Sequence, residues 1–545
     1  MRFRDHYDWI VLGNHPGALL SASLVSAMGL SVLVLPFTPA LKPFTSDRGL
    51  VFDPEPNSLL GLGNSEENSG LLLQCLKRMG VGAQELEKFD RSEVFPQVLT
   101  PNCRMVFSRN EGLNFELTRE LGVDSAAALG LLEVLASLES DYLQSWRNLP
   151  KRLSSNPWAC SRFLKSQQIH ELKKQLKTKH QAALLDSAGQ TEGIASLQKR
   201  FAQVTQWLDP SRCASDWASA IGRFDLPELC SGLWYGITQT QEPNPLMRDL
   251  LLRLMLSRTA GSFLGGLTAY RQFLLNAAKR AGAHIAENEQ CKHIFIDRGR
   301  FAGVQISARG SIISTQGGVV GSSLKNVFDR TTLTGNNWFY LKKSASTPVG
   351  WHFTLSFLVR TEALNSKLGS RAVWQEKDAP PLEIEVLKPR SNSPSAAHWS
   401  VVLLRTLMPF SEESLTPEFQ RGMARRMFRQ VCEILPYFES HILQVYPRFS
   451  TPTGRSVFGN EELQDAQPSA LVDFQQIYGF SSLSQIPDPL LVFQKSARGA
   501  QSGIEGLFVA SQESYPSLGS LGPTVACLQS VAWLSDRLGL KGPFS

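Results

Sequence analysis

The sequence has no Cys-x-x-Cys pair and no His/Cys/Asp/Glu spacing suited to zinc, although 545 residues include 8 cysteines. A small disulfide scaffold and a metal-built fold are set aside, and the thiols read as buried or incidental groups in a reducing compartment. There is no P-loop, no Ser-His-Asp arrangement for nucleophilic hydrolysis and no internal repeat. Charge is sparse. Charged residues make up 19%, and 55 Lys+Arg against 49 Asp+Glu leave +6. Spread over this length, the excess can favour an anionic cofactor or a membrane surface, but it is no nucleic-acid footprint. Met1 to Asp8 lack a signal-peptide plan, so a cytoplasmic protein is expected, with room for peripheral membrane contact.

What is present is a 42% apolar chain too long for one ordinary core. Residues Trp9 to Leu41 contain no charged side chain. Asn14, His15, Pro16, Gly17 and several serines interrupt them, so a buried strand-turn-helix-strand explains the run better than a membrane span. Tyr7 to Gly13 reads as a strand, the following small and apolar residues as a helix stopping at Gly29, and Ser31 to Leu35 as a second strand. Apolar on both faces, these strands fit a parallel sheet covered by helices, in a βαβ unit of about 30 residues.

From about residue 57 to 257 the chain is mainly helical in character, with amphipathic spacing over 69–79, 125–146, 161–177 and 194–207. A basic stretch at 165–180 reads as solvated surface. A second α/β segment opens near Gly261. It has a helix over 270–281 and short strands at 283–285, 292–296, 303–306, 311–313 and 318–321, turning at Asp297-Arg298-Gly299-Arg300 and at Arg309-Gly310. Strands at 351–359, 382–387 and 398–405, a helix over 417–434, a strand at 506–510 and a last helix over 524–538 follow. The Ser/Pro stretch 391–397 is the expected mobile loop.

The turn after the first strand is Gly13-Asn14-His15-Pro16-Gly17-Ala18. A dinucleotide turn needs a first glycine to bend, a second to admit pyrophosphate and a third small residue for helix–strand packing. Gly13 and Ala18 satisfy the first and third, His15 replaces the second, and Pro36 stands where an acidic ribose ligand is expected. Three further segments occur in order: Gly49-Leu50-Val51-Phe52-Asp53-Pro54-Glu55-Pro56, Phe263-Leu264-Gly265-Gly266-Leu267, and Gly506 to Gly519. A hairpin-like run spans Ile294 to Val304. Together they resemble the phytoene desaturase and carotenoid isomerase family of flavoproteins, relatives of the flavin amine oxidases.

The resemblance implies a glutathione-reductase-like FAD/NAD(P)-binding Rossmann domain with a discontinuous α+β substrate domain. Residues 1–60, 258–330 and 495–545 would build the FAD-binding part. A mainly helical cap over 61–257 and a sheet-and-helix part over 331–494 would build the rest. It places Gly13, Gly17 and Ala18 at the pyrophosphate, Cys291 beside adenine, and Pro516, Gly519 and Thr524 near the ribityl chain and ring edge. Ser511-Gln512 replaces the family's Gly-Asp or Gly-Glu pair, and Leu41-Lys42-Pro43-Phe44 stands near a missing double-glycine-arginine segment. Hydride transfer belongs to the flavin itself, so no catalytic side chain is named.

These departures fall where FAD should be held, and two expectations follow. One is an FAD-dependent oxidoreductase acting on an apolar isoprenoid or lipid-like substrate. The other is a flavin-fold binding or scaffold protein that has lost FAD, as Rab GDP-dissociation inhibitors and escort proteins have. His15 is read as weakening or abolishing FAD binding, ahead of an outward-turned residue or a donor to phosphate. His284 and His293, alternating with apolar residues on strands, read as structural, and His352 and His398 as lone histidines with no partner in the pattern. Trp338, Phe339, Tyr340, Trp351, Phe353, Phe357 and Trp374 read as core packing ahead of a substrate tunnel.

Overall fold

The computed structural model describes residues 3–35, 44–45, 51–52, 58–63, 70–91, 97–107, 111–121, 146, 149, 212–221, 225–307, 312–324, 327, 332–334, 349–364, 368–387, 398–446, 491–492 and 500–541. Outside them lie the expected helices at 161–177 and 194–207, nearly all of that at 125–146, most of the basic stretch's surroundings at 165–180, the Arg309-Gly310 turn, the aromatic run 338–340, Pro36 and the 391–397 loop.

In chain order, the elements that position the site begin with β1 (His6–Gly13), α1 (Pro16–Ala27), β2 (Val32–Leu35), α2 (Leu71–Arg78), β3 (Gln97–Leu99) and β4 (Arg104–Val106). Next come α3 (Leu226–Thr238), α4 (Met247–Ser257), α5 (Gly266–Arg280), β5 (His284–Ile285), β6 (Cys291–Asp297), β7 (Arg300–Ile306), β8 (Ile313–Gly321) and β9 (Thr332–Thr334). The rest are β10 (Gly350–Arg360), β11 (Arg371–Trp374), β12 (Leu382–Leu387), β13 (Trp399–Pro409), α6 (Pro417–Ile434), β14 (Ile442–Tyr446), β15 (Leu491–Val492), β16 (Leu507–Val509) and α7 (Leu521–Leu538).

β1 is the hinge of the first sheet. It runs parallel to β2 on one side and to β8 on the other, with Val11 opposite Val34 and Val319. β16 adds in parallel to the second half of β8, and β5 to β2. The first half of β8 instead takes the antiparallel β7, then β6 and β9. Only β8 therefore separates the first strand of the chain from the last. Alternate residues serve opposite faces: Trp9, Val11 and Val34 pack toward α1, and Ile10, Leu12 and Leu33 pack away from it. Each such large side chain contributes about 1.5–3 kcal/mol by leaving water.

Helix α1 lies between α5 and α7 on that sheet, and residues 17–26 are all buried. Its small residues permit this close approach. The Ser21 and Ser23 hydroxyls, which burial would otherwise leave unsatisfied, donate to the Ala18 and Leu19 carbonyls. The helix ends with the Leu30 N–H donating to the Val25 carbonyl and Gly29 at φ +82°.

The second sheet has the order β14-β10-β13-β12-β11-β3-β4, with β15 also on β10. β10 and β13 pair antiparallel over their whole length. One face carries Phe353, Leu355, Phe357, Ile384 and Leu404, packed against Met427 and Val431 of α6. These aromatic residues are core, as expected. The opposite face carries polar and charged side chains and lies against α3, whose Gly232 lets the helix close on β3: a Cβ there would be 2.7 Å from Val98 Cγ1.

Several sequence expectations shift. The separate strands at 311–313 and 318–321 are one strand, β8. Its glycines are close-approach positions, since a Cβ on Gly317 would meet the Trp9 ring at 2.7 Å and one on Gly318 the Phe301 ring at 2.6 Å. The last helix begins at Leu521, because Pro523 sits in the first turn, where a missing N–H costs little. The largely helical stretch 57–257 also supplies β3 and β4 to the second sheet. Among the described residues no helix is long and apolar enough to cross a membrane, no cluster could hold a metal ion, and the cysteines are free.

Candidate functional site

In a parallel sheet the strand ends and following helix starts leave a crevice. Here one opens where β1 gives way to α1 and where β16 passes into the C-terminal loop. His15, Pro16 and Gly17 form one side, and Gln512, Pro516, Gly519 and Thr524 another. The end of α3 adds Ile237, Thr238, Gln239 and Thr240, and the second sheet adds His352 and Arg371. Leu59, Leu72, Leu267 and Tyr270 make an apolar wall. The empty space of the cleft, counting space open to solvent, is about 950 Å³.

Six of the ten expected site residues thus meet in one cleft: His15, Gly17, Gln512, Pro516, Gly519 and Thr524. Gly13 and Ala18 sit just behind it and pack on Gly321. Gly13 has φ +113° with room for no Cβ, and a Cβ on Gly321 would stand 2.6 Å from the Ala18 methyl. Cys291 and Ser511 do not line the cleft. Cys291 opens β6 in the core cluster on the face away from α1, and burial pushes its thiol up to about 12. The Ser511 hydroxyl accepts from the Glu513 N–H at 3.4 Å.

The N-terminus of α1 can be accounted for donor by donor. Pro16, its first residue, has no N–H. The Gly17 N–H donates to His15 Nδ1 at 3.3 Å, and the Ala18 and Leu19 N–H groups donate to the His15 carbonyl at 3.0 and 3.1 Å. His15 is held from behind as its own N–H reaches the Gly321 carbonyl at 3.2 Å. Since Nδ1 accepts, the proton is on Nε2, and the ring also hydrogen-bonds the Ala510 backbone. Burial, helped by nearby Arg271 and opposed by the Ala510 bond, lowers the His15 pKa to about 3, so the imidazole is neutral at physiological pH. This side chain bridges the first helix to the last strand.

Two of the glycines also allow close packing within the chain. A Cβ on Gly17 would meet Pro523 Cβ at 2.6 Å and the Ala510 oxygen at 2.9 Å. Gly519, at φ +55°, lies so close to α3 that a Cβ would stand 2.7 Å from the Ile237 oxygen. The Ser520 hydroxyl accepts from the Leu60 N–H at 2.9 Å.

The far wall of the cleft is charged. Glu383, fully buried, bonds Arg371 through the latter's Nε and Arg405 at 3.2 Å; Arg405 also bonds Glu385. Burial alone would raise the Glu383 pKa, but Arg371 and Arg405 outweigh it and hold the group at about 2. His352 was expected to stand alone. Its Nδ1 instead lies 3.4 Å from the Tyr235 hydroxyl of α3, and burial together with Arg405 lowers its pKa to about 4. Burial also holds the Tyr235 phenol protonated. Sequence reasoning overlooked Arg371, Glu383, Glu385, Arg405 and Tyr235. The signal was the alternation Leu382-Glu383-Ile384-Glu385, which puts two carboxylates on one face of a buried strand.

No protein-family model and no curated protein sequence matches the chain. Solved structures match in fold. An oxidoreductase from Methanosarcina mazei is 12% identical, with a TM-score of 0.54 over 96% of this chain and 99% of that one. A Rab GDI from Plasmodium falciparum is 11% identical, with a TM-score of 0.48 over 98% and 99%. Cyclohexylamine oxidase from Brevibacterium oxydans is 11% identical, with a TM-score of 0.48 over 98% and 100%. The first likeness runs through nearly the whole of both chains, so the two share a fold. The parallel part of the first sheet, with its N-terminal βαβ unit, is Rossmann-like.

FAD, the cofactor implied by the resemblance, was tested against this cleft. Its pyrophosphate would need free N–H groups at the start of α1, yet the first of these is missing in Pro16 and the next three are bonded within the turn. The residues as arranged do not fit FAD.

Proposed function

We propose that this chain is a small-molecule-binding protein built on a flavin-oxidoreductase fold, with the cleft between its two sheets as the binding site and its own residues in place of the dinucleotide phosphates. The carrying observation is the closed N-terminus of α1, where the His15 imidazole occupies the hydrogen-bonding position that a phosphate oxygen would take. Charge supports the same reading. A neutral His15 adds nothing to attract pyrophosphate, and the nearest guanidiniums on the second sheet, Arg371 and Arg405, are bonded to Glu383 and Glu385.

A second reading, an FAD-dependent oxidoreductase of desaturase type, is favoured by the meeting of six expected cofactor residues in one cleft and by the shared fold. It requires the His15 bridge to open. Purified protein, recorded in the visible range and then titrated with FAD, separates the two. A colourless protein that takes up no FAD supports the binding protein, and a yellow one with stoichiometric FAD supports the oxidoreductase.

A further inference from the structure

Two residues of the cleft wall each hold a buried polar atom with no hydrogen-bond partner among the described residues: Arg371 at Nη2 and Gln239 at Oε1. Leaving such atoms unbonded is costly, so a partner is called for at both. One is a donor and the other an acceptor. Arg371 is fixed by its Nε bond to Glu383. Gln239 ends α3 with φ +60° and ψ +22°; its N–H donates to the Tyr235 carbonyl at 2.8 Å, and its side-chain Nε2 donates to the same carbonyl at 3.4 Å. Both side chains are therefore held in place before any ligand arrives.

The charges around them are already matched. Arg371 and Arg405 face Glu383 and Glu385, and His352 is neutral above about pH 4. A ligand with net charge would leave that charge unmatched in a half-closed, mostly apolar cleft. A neutral group offering a carbonyl oxygen to Arg371 and an N–H to Gln239 satisfies both atoms and leaves the balance intact. Leu59, Leu72, Ile237 and Leu267 suit a short apolar tail beside it. We infer that the cleft binds a compact neutral carboxamide, carbonyl toward Arg371 and N–H toward Gln239, with its aliphatic part on the leucine wall. This rests on the cleft being a ligand site, as proposed above, and does not depend on whether FAD binds.

Ligand-detected NMR with butyramide, butyrate and butylamine as probes tests it on the full-length protein. Butyramide should bind at least about tenfold more tightly than the two charged probes. Arg371→Lys keeps a cation beside Glu383 but loses the planar fork, and should weaken butyramide about tenfold. Gln239→Asn tolerates the left-handed backbone while withdrawing the oxygen, and should also cut butyramide binding; it carries the test if Arg371→Lys does not fold. Preference for butyrate or butylamine, or butyramide binding unchanged in both variants, overturns the carboxamide assignment while leaving the cleft as a ligand site. No binding of any probe overturns the ligand site itself.

Discussion

Replacing His15 with alanine breaks two connections at once. The Gly17 N–H loses its acceptor, a helix N-cap worth about 1 kcal/mol. The Ala510 carbonyl loses the imidazole donor, and a buried carbonyl left dry costs about 1–3 kcal/mol. The expected destabilisation is therefore about 2–4 kcal/mol. His15→Asn should recover the cap, about 1 kcal/mol, because its amide oxygen can still accept from Gly17 but is too short to bridge to Ala510. Since the native imidazole is held near pH 3 while the unfolded one titrates near 6.5, the loss should be constant above about pH 7 and should shrink as pH falls below about 6.5, where the wild-type unfolded chain takes up a proton that the variant lacks. Urea unfolding measures the total, and hydrogen exchange at the Gly17 amide measures the cap alone. Gly17 exchange as slow in His15→Ala as in wild type would refute the bridge.

Arg405→Met leaves Glu383 and Glu385 buried without their shared cation, and should destabilise by about 3–5 kcal/mol in urea unfolding; adding Glu383→Leu and Glu385→Leu should return part of that loss. Acid should weaken the protein in overlapping steps, and His15, lowered from 6.5 to about 3, adds to the one that His352 makes. His352, lowered from 6.5 to about 4, lets the unfolded chain take a proton that the native state refuses, so stability falls as pH drops from about 6.5 to about 4. Glu383, held at about 2 against an ordinary 4.5, contributes stability that is lost as pH falls from about 4.5 to about 2. Thermal midpoints flat across both windows would contradict these assignments.

The strands of the first sheet were legible in the sequence because parallel strands covered on both faces are continuous apolar runs, as Trp9-Ile10-Val11-Leu12 and Val32-Leu33-Val34-Leu35 are. The two-residue turn at Arg298 and Gly299, with φ +47° and +81°, was legible from its glycine. The single strand β8 read as two, and its Gly317 and Gly318 mark close approach of aromatic rings from distant elements, which no local pattern reveals. The candidate site was half legible. Motif order brought His15, Gly17, Gln512 and Pro516 to one cleft across some 500 residues. The charged wall was not, because Arg371, Glu383 and Arg405 become a unit only through strand pairing: Glu383 stands opposite Arg405, while Arg371 reaches Glu383 on the diagonal.

The measurement closest to the centre is FAD binding to wild type and to His15→Gly, followed by absorbance and by isothermal titration. Wild type should be colourless and take up no FAD, because its α1 donors are bonded internally, and His15→Gly should show measurable binding once Gly17 is released. Wild-type protein that carries FAD, or binds it stoichiometrically with His15 in place, would contradict the claim that this helix end has been closed by the chain itself.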